Sequence, residues 1–176
     1  MALLEYVRDE EIITRGDSDL SLFCAMIGHN PELLERRLSY AEWLRREGSV
    51  DPAVKELAHL ATDSENDCAY CTESHSRTLR SEYGVPEERI EALRRGELDS
   101  FDDRERAVLR FARQTARDPK RVTEAHVDAL LEHGFTDGEV VELLAVVASA
   151  VSANTMMDAL NVHPADRELE FGTGAD

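Results

Sequence analysis

The stretch TDGEVVELLAVVASAVSANTMMDAL, residues 136–160, decides the fold class of this 176-residue chain. It opens with Thr136-Asp-Gly-Glu139, the capping box that starts many helices, and continues as a long apolar segment. Its apolar residues recur at steps of three and four, the spacing of one helix face. The same spacing returns along almost the whole chain, whereas alternating runs rich in Val, Ile and Thr are nearly absent. We therefore predict an all-α protein.

Start and stop signals divide the rest of the chain into further helices. Asn30-Pro31 and Asp51-Pro52 are typical helix starts, and Gly48, Gly84 and Gly134 are typical stops. The predicted helices cover residues 20–27, 31–48, 52–61, 67–83, 87–93, 105–115, 123–131 and 136–160, with a polar break at 62–66. An acidic arm precedes them, and a flexible tail follows residue 164.

Several apolar residues are candidates for the core. The last helix carries a continuous apolar seam, which suits the domain centre or a subunit interface and consists of Val140, Leu143, Leu144, Val147 and Val151. Trp43 and Phe111 are expected to anchor the core. Cys24 is expected to be a packed core thiol.

A weak internal repeat has a period of 50 residues. Residues 84–93 align with 134–143, and residues 57–61 align with 107–111, which predicts two related helical hairpins packed together. Cys68 and Cys71 align with Asp118 and Arg121, so any thiol chemistry belongs to the first copy only. We expect one domain over residues 1–176, with a core at about 20–162.

Composition excludes several classes of partner. The chain carries 37 acidic and 20 basic residues, a net charge of -17, which repels phosphate backbones and anionic lipids. No uninterrupted apolar run long enough to span a membrane and no signal peptide are recognised, so we expect a cytoplasmic protein without nucleic-acid or membrane partners. Only Lys55 and Lys120 are lysines among the basic residues, and an acidic surface so poor in lysine favours adaptation to salt over the alternative, an ordinary acidic protein from a high-GC genome.

The stretch DCAYCTESH, residues 67–75, carries the candidate chemistry at the predicted start of a helix. Steps of three and four place Cys68, Cys71 and His75 on one helix face, with Ser64 and Asn66 as candidate caps. The amides of a helix N-terminus and a neighbouring histidine both favour the thiolate. This pattern predicts a nucleophilic thiol with a resolving partner. The position of His75 favours ionisation of Cys71, whereas the helix start favours Cys68, so the attacking sulfur stays open.

A structural zinc site is the main chemical alternative. Zinc usually takes four ligands, and only Cys24, His29 and His59 are available to complete a site with the cysteine pair. We favour the redox role and expect no metal and no cofactor. His59 is expected to lie at the surface or an interface. A thioredoxin domain is excluded, because its CxxC follows a strand.

The motif Cys68-x-x-Cys71-x-x-x-His75, with Glu56 upstream, resembles the alkyl hydroperoxidase D (AhpD)-like branch of the carboxymuconolactone decarboxylase family, in its peroxidase-related subset. The resemblance covers roughly residues 20–162. It implies an all-α disulfide-cycling peroxidase in which Glu56 and His75 relay protons to the cysteines through water. Many family members carry a histidine where this chain has Tyr70, and a phenol with a pKa near 10 is a poor base at neutral pH.

The resemblance also implies partners. A hydroperoxide is the expected substrate, an external dithiol or thiol protein the expected reductant, and a homotrimer or homohexamer the expected assembly. Two alternatives remain open at this stage. One is a decarboxylase like the family's namesake, and the other is a redox-responsive helical oligomer without turnover.

Overall fold

The computed structural model describes residues 1–7 and 21–166, and all of its regular elements are helical. The helices are α1 (Ser21–Ile27), α2 (Pro31–Arg46), α3 (Pro52–Glu65), α4 (Ala69–Ser81), α5 (Glu87–Arg94), α6 (Asp103–Arg117), α7 (Glu124–Glu132) and α8 (Asp137–Ala159), with a 3₁₀ turn at Pro119–Arg121. The all-α prediction is confirmed. Most of the predicted acidic arm and tail lies outside the described residues.

Side-chain caps explain four of the eight helix starts in the described residues. Asn30, Asp51, Asp102 and Thr136 each accept a hydrogen bond from a backbone N–H in the first turn of the helix that follows. Such a cap is worth about 1 kcal/mol, because it pairs an N–H that has no partner within the helix. The predicted starts of α2, α3 and α8 are therefore confirmed.

Helix α3 lies at the centre of the domain, packed against α4, α6 and α8. The main core joins α3 to the later helices through fully buried side chains, among them Leu60, Ile90, Leu109, Leu130 and Leu143. Phe111 belongs to this core, as predicted. Burial of each large aliphatic side chain contributes roughly 1.5–3 kcal/mol. This packing holds α3 firmly, and α3 carries half of the candidate site.

A second apolar cluster covers the start of α4. Tyr6, Cys24 and residues of α1 pack there with both cysteines of the motif and Met157 of α8. The amino-terminal residues are held down by backbone bonds, such as Val7 N–H to the Ala25 carbonyl at 3.0 Å. Cys24 is fully buried, so its prediction as a core thiol is confirmed. The candidate thiols thus lie beneath α1 and the amino-terminal segment.

Two sequence predictions about packing are wrong. Trp43 is 44% exposed, because Leu34 and Leu44 occupy the buried face of α2 and Trp43 points away from it. The polar break at 62–66 is also misplaced, since α3 continues to Glu65. Its hydroxyls bond back within the helix, Thr62 to the Ala58 carbonyl and Ser64 to the Leu60 carbonyl.

Helix α8 buries one face and exposes another. Leu143 and Val147 are buried as predicted, whereas Val141 is 65% exposed and Leu144 44% exposed. By length and composition, α8 is the one helix among the described residues that meets the criterion for a membrane span. Core helices meet the same criterion, so this is weak evidence for a membrane location.

Candidate active site

Cys68 and Cys71 lie at the start of α4. Cys68 is the N-cap residue and its side chain makes no capping bond, so neither Ser64 nor Asn66 is the cap that the sequence predicted. The chain turns from α3 into α4 at Asp67, whose φ of 55° is in the left-handed region. The Cys68 N–H then donates to the Asp63 carbonyl at 3.1 Å. This bond ties the first cysteine to the last turn of α3.

The two thiols are buried and lie within hydrogen-bonding reach of each other. A hydrogen bond with Cys68 raises the pKa of Cys71, and burial and the charge of Asp63 raise it further. A hydrogen bond from the Asn154 amide opposes this rise. The structure therefore brings the two cysteines together, as their spacing predicted.

Glu56 and His75 form a buried pair across α3 and α4. His75 Nδ1 lies 2.6 Å from Glu56 Oε1, and Arg45 Nε lies 3.8 Å from the other carboxylate oxygen. Burial favours the neutral form of Glu56, but the charge and hydrogen bond of His75, with Arg45 and His59, lower its pKa to about 2. Burial likewise favours neutral His75, but Glu56 and Asp63 raise its pKa above the ordinary value. The pair is therefore an ionic one.

His59 belongs to this cluster, which corrects its prediction as a surface or interface residue. Its ring stacks on the ring of His75, with centroids 3.7 Å apart and planes inclined by 20°. Its Nδ1 lies 3.2 Å from Oδ2 of Asp63, one turn further along α3. The steps of three and four from Glu56 to His59 to Asp63 were visible in the sequence. The misplaced end of α3 hid them, because it put Asp63 in a loop.

A buried amide network extends the cluster to α8. Asn154 Nδ2 donates to Asp63 Oδ1 at 2.7 Å, and Asn154 Oδ1 accepts from Asn66 Nδ2 at 2.8 Å. Asp63 is fully buried and Asn154 is 2% exposed. Sequence reasoning missed Asn154, because nothing in an apolar helix distinguishes one polar residue that points inward.

Tyr70 does not stand in for the histidine that many relatives carry. It is buried beside α1, and its hydroxyl accepts from the Phe23 N–H at 3.2 Å. Burial raises its pKa above the ordinary value. A phenol so placed is a packing group and not a base.

The described residues do not assemble the alternative zinc site that the cysteine pair would share with Cys24, His29 or His59. Among the described residues, His59, Asp63 and His75 are the only group with at least three donor atoms close enough for one ion, so neither cysteine shares a site with Cys24 or His29. Imidazole lone pairs lie in the ring plane, and two nearly parallel rings do not direct theirs at one point. The arrangement suits proton transfer better than metal binding.

Two cavities approach the cluster. One of about 610 Å³ lies beside the start of α4, and its lining includes Ala69, Thr72 and Arg77. A smaller one of about 30 Å³ touches Glu56, His59 and Arg45, and is large enough for a water molecule. The larger cavity thus borders Ala69 and Thr72, the chain neighbours of the two cysteines, and the smaller one borders Glu56 and His59.

Comparison with known proteins supports a specific family. The model of the carboxymuconolactone decarboxylase family matches residues 31–114, from α2 to the middle of α6, which include the thiols, Glu56 and His75. The uncharacterized protein YdfG of Bacillus subtilis (strain 168) is 25% identical over 124 residues, 69% of this chain and 83% of that protein.

Solved structures share the fold over nearly the whole chain. The alkylhydroperoxidase AhpD core of an uncharacterized peroxidase-related protein from Ralstonia eutropha JMP134 is 25% identical with a TM-score of 0.78, covering 93% of this chain and 88% of that one. The debrominase Bmp8 in complex with 2,3,4-tribromopyrrole is 17% identical with a TM-score of 0.76, covering 98% and 100%. With its helical core and the family match over the site, this chain is similar to the carboxymuconolactone decarboxylase family and has the AhpD-like fold.

Proposed function

We propose that this protein is a thiol-dependent peroxidase of the AhpD type, which reduces hydroperoxides through a cycle of Cys68 and Cys71. The observation that carries the proposal is the contact of two free thiols beside the ionic pair of Glu56 and His75. A dithiol and a buried proton donor–acceptor pair are the groups that peroxide reduction needs.

The reaction proceeds in three balanced steps. A thiolate attacks the terminal peroxide oxygen, the O–O bond breaks, and the alkoxide takes a proton and leaves as an alcohol. The second thiol attacks the resulting sulfenic acid, which forms the disulfide and releases water. An external dithiol then exchanges with this disulfide, so that both cysteines return to thiols and the reductant is oxidised.

Glu56 and His75 serve this cycle as a proton reservoir. Because Glu56 raises the pKa of His75, the imidazole keeps its proton to a higher pH than a free histidine does, and it supplies the proton that the alkoxide takes. No hydrogen bond joins His75 directly to either cysteine among the described contacts, so we place a water between them. Arg45 stabilises the Glu56 carboxylate.

Access to the thiols determines which molecules react. Both cysteines are buried beneath α1, and a cavity of about 610 Å³ borders Ala69 and Thr72, the residues that follow Cys68 and Cys71 in the chain. We propose that hydroperoxide and reductant approach from this side. A supply of reducing thiols is typical of the cytoplasm, where we place the protein.

Self-association fits the apolar residues that α2 and α8 expose. These two helices pack on each other, and their outer faces carry Tyr40, Trp43, Val141 and Leu144, each at least 44% exposed. Large apolar side chains at the surface of so acidic a protein favour a homotypic contact, and we propose a trimer or hexamer built through them.

The test is a count of free thiols. The reduced protein, in molar KCl, is treated with one equivalent of cumene hydroperoxide, with the Cys68→Ser protein as control. We expect the parent to lose two thiols, to regain them with a dithiol, and to turn over repeatedly when dithiol is in excess. No loss of thiols contradicts the proposal. Loss without repeated turnover indicates a redox-responsive protein instead.

A further inference from the structure

The ring of His59 covers the ring of His75 where α3 packs against α4. The ring centroids are 3.7 Å apart and the ring planes are inclined by 20°, so the two imidazoles lie face to face. His75 is also held at one atom, because its Nδ1 lies 2.6 Å from Oε1 of Glu56. A hydrogen bond restrains that one atom, whereas the plane of the ring can still turn about the bond. The stacked partner restrains the plane.

The ring of His59 is itself held in place by a series of hydrogen bonds. Its Nδ1 lies 3.2 Å from Oδ2 of Asp63, and an ionised carboxylate only accepts, so the imidazole is the donor. Oδ1 of the same carboxylate accepts from Nδ2 of Asn154 at 2.7 Å. The Asn154 carbonyl oxygen in turn accepts from Nδ2 of Asn66 at 2.8 Å. The series therefore ties the ring of His59 to α8 and to the turn before α4.

Burial keeps this series of bonds intact. Asp63 is fully buried, Asn154 is 2% exposed and the side chain of His59 is 13% exposed. A buried polar group that loses its partner finds no water to replace it, so breaking any of these bonds is unfavourable. The imidazole of His59 therefore keeps one orientation, with its face toward His75.

We propose that His59 is a positioning residue for the reaction, because its ring fixes the plane of the His75 imidazole. This inference rests on the proposed function, in which His75 supplies a proton to the departing alkoxide. Since Nδ1 of His75 faces Glu56, Nε2 is the nitrogen left to pass that proton on through water. The direction of this N–H follows the plane of the ring, and a misdirected donor transfers its proton slowly.

Positioning is a different role from carrying a proton. The Nδ1 proton of His59 is bound by Asp63, and the face of the ring, not a nitrogen, is turned toward His75. Proton transfer between two imidazoles needs nitrogens that point at each other within the ring planes, which nearly parallel stacked rings do not offer. A flat ring without nitrogen should therefore position His75 as well as histidine does.

Two substitutions separate the ring of His59 from its hydrogen bond. His59→Phe keeps a flat ring and loses the bond to Asp63, and the cavity of about 30 Å³ beside His59 has space for the larger ring. His59→Asn keeps a donor at the position of Nδ1 and loses the ring. His133→Asn, at an exposed histidine that follows α7, is the matched control.

The stack is measured by NMR without any peroxide. Stacked aromatic rings shift each other's carbon-bound ring protons to lower frequency, so we expect this shift at His75 in the parent protein. The shift should persist in His59→Phe and in His133→Asn, and it should vanish in His59→Asn.

The rate of thiol loss measures the consequence for the reaction. The reduced proteins are mixed with a limiting amount of cumene hydroperoxide, and their free thiols are counted over time. We expect His59→Asn to react at least about tenfold more slowly than the parent, and His59→Phe to stay within about threefold of it. His133→Asn should react as the parent does.

Three results would overturn the positioning role. They are an unshifted His75 in the parent, a folded His59→Asn protein that reacts as fast as the parent, and a folded His59→Phe protein as slow as His59→Asn. The last result would assign the role of His59 to its nitrogens. If one variant does not fold, the other, compared with the parent, still decides. If the NMR shifts follow the expected order but the parent loses no thiols to peroxide, only the proposed function fails.

Discussion

His59 and His75 lie face to face, with ring centroids 3.7 Å apart, and each presents Nδ1 to a different buried carboxylate. The Glu56 bond, at 2.6 Å, is the shorter of the two, and Glu56 raises the pKa of His75 above the ordinary value. The ionic pair of Glu56 and His75 thus links α3 to α4.

The first prediction concerns Glu56→Gln. Loss of the carboxylate charge is expected to lower the pKa of His75, because Glu56 is the largest of the influences that raise it. Turnover at neutral pH should fall as less His75 is protonated. The His75 titration followed by NMR measures the shift, and a midpoint equal to that of the parent contradicts the role of Glu56.

The same pair makes stability depend on pH. The folded pKa of Glu56 is about 2, below its ordinary value of 4.5, so its contribution is complete above about 4.5 and is lost as the pH falls toward 2. The contribution of His75, whose folded pKa is raised, is complete below its unfolded pKa and is lost as the pH rises through the folded value. Urea unfolding across the acid range should therefore show a shallower pH slope for Glu56→Gln than for the parent.

The second prediction concerns the third cysteine. Burial raises the pKa of Cys24 to about 11, so this thiol stays protonated and unreactive at neutral pH. The Cys24→Ala protein should lose two thiols to peroxide and turn over as the parent does. Mass spectrometry of alkylated peptides checks which cysteines are oxidised, and a disulfide that contains Cys24 would refute the two-cysteine cycle.

The third prediction concerns a buried ion pair outside the site. Lys55 is 2% exposed, and its Nζ lies 3.0 Å from Oε1 of Glu142. Glu142→Gln leaves the ammonium group buried without a counter-charge, which should cost about 3–5 kcal/mol of unfolding free energy. Replacing both residues, as Lys55→Met with Glu142→Gln, should cost less than Glu142→Gln alone. Urea unfolding measures the three proteins, and a double variant less stable than Glu142→Gln would contradict this account.

The fourth prediction concerns assembly. Light scattering after gel filtration should give a mass above the 19.8 kDa of one chain. Val141→Glu places a charge on the exposed apolar face of α8 and should lower that mass. Leu131→Glu, on the exposed part of α7, is the matched control and should leave it unchanged. If the parent protein elutes as a monomer, the proposed assembly is wrong.

The fifth prediction concerns salt. With a net charge of -17, the folded chain repels itself, and added ions screen this repulsion. The melting midpoint should therefore rise between dilute buffer and molar KCl. A midpoint that does not rise rejects adaptation to salt.

Local sequence signals predicted much of the fold. The starts of α2, α3 and α8 were predictable because a capping side chain and its backbone partner lie within three residues of each other. The end of α3 was not predictable from the sequence, because the hydroxyls of Thr62 and Ser64 can either bond back within a helix or favour a turn. Burial of the last turn of α3 decides between these two outcomes.

By itself, the sequence determined the helical class and the contact between Cys68 and Cys71, because both depend on spacings within one or two turns. Only the tertiary structure decided that Asp63 is buried, that His59 stacks on His75 and that Asn154 reaches the dithiol. Those contacts join helices separated by up to 91 positions in the chain. Among 37 acidic residues, the packing of α3 against its neighbours selects the few, Glu56 and Asp63 among them, whose charge is shielded from water.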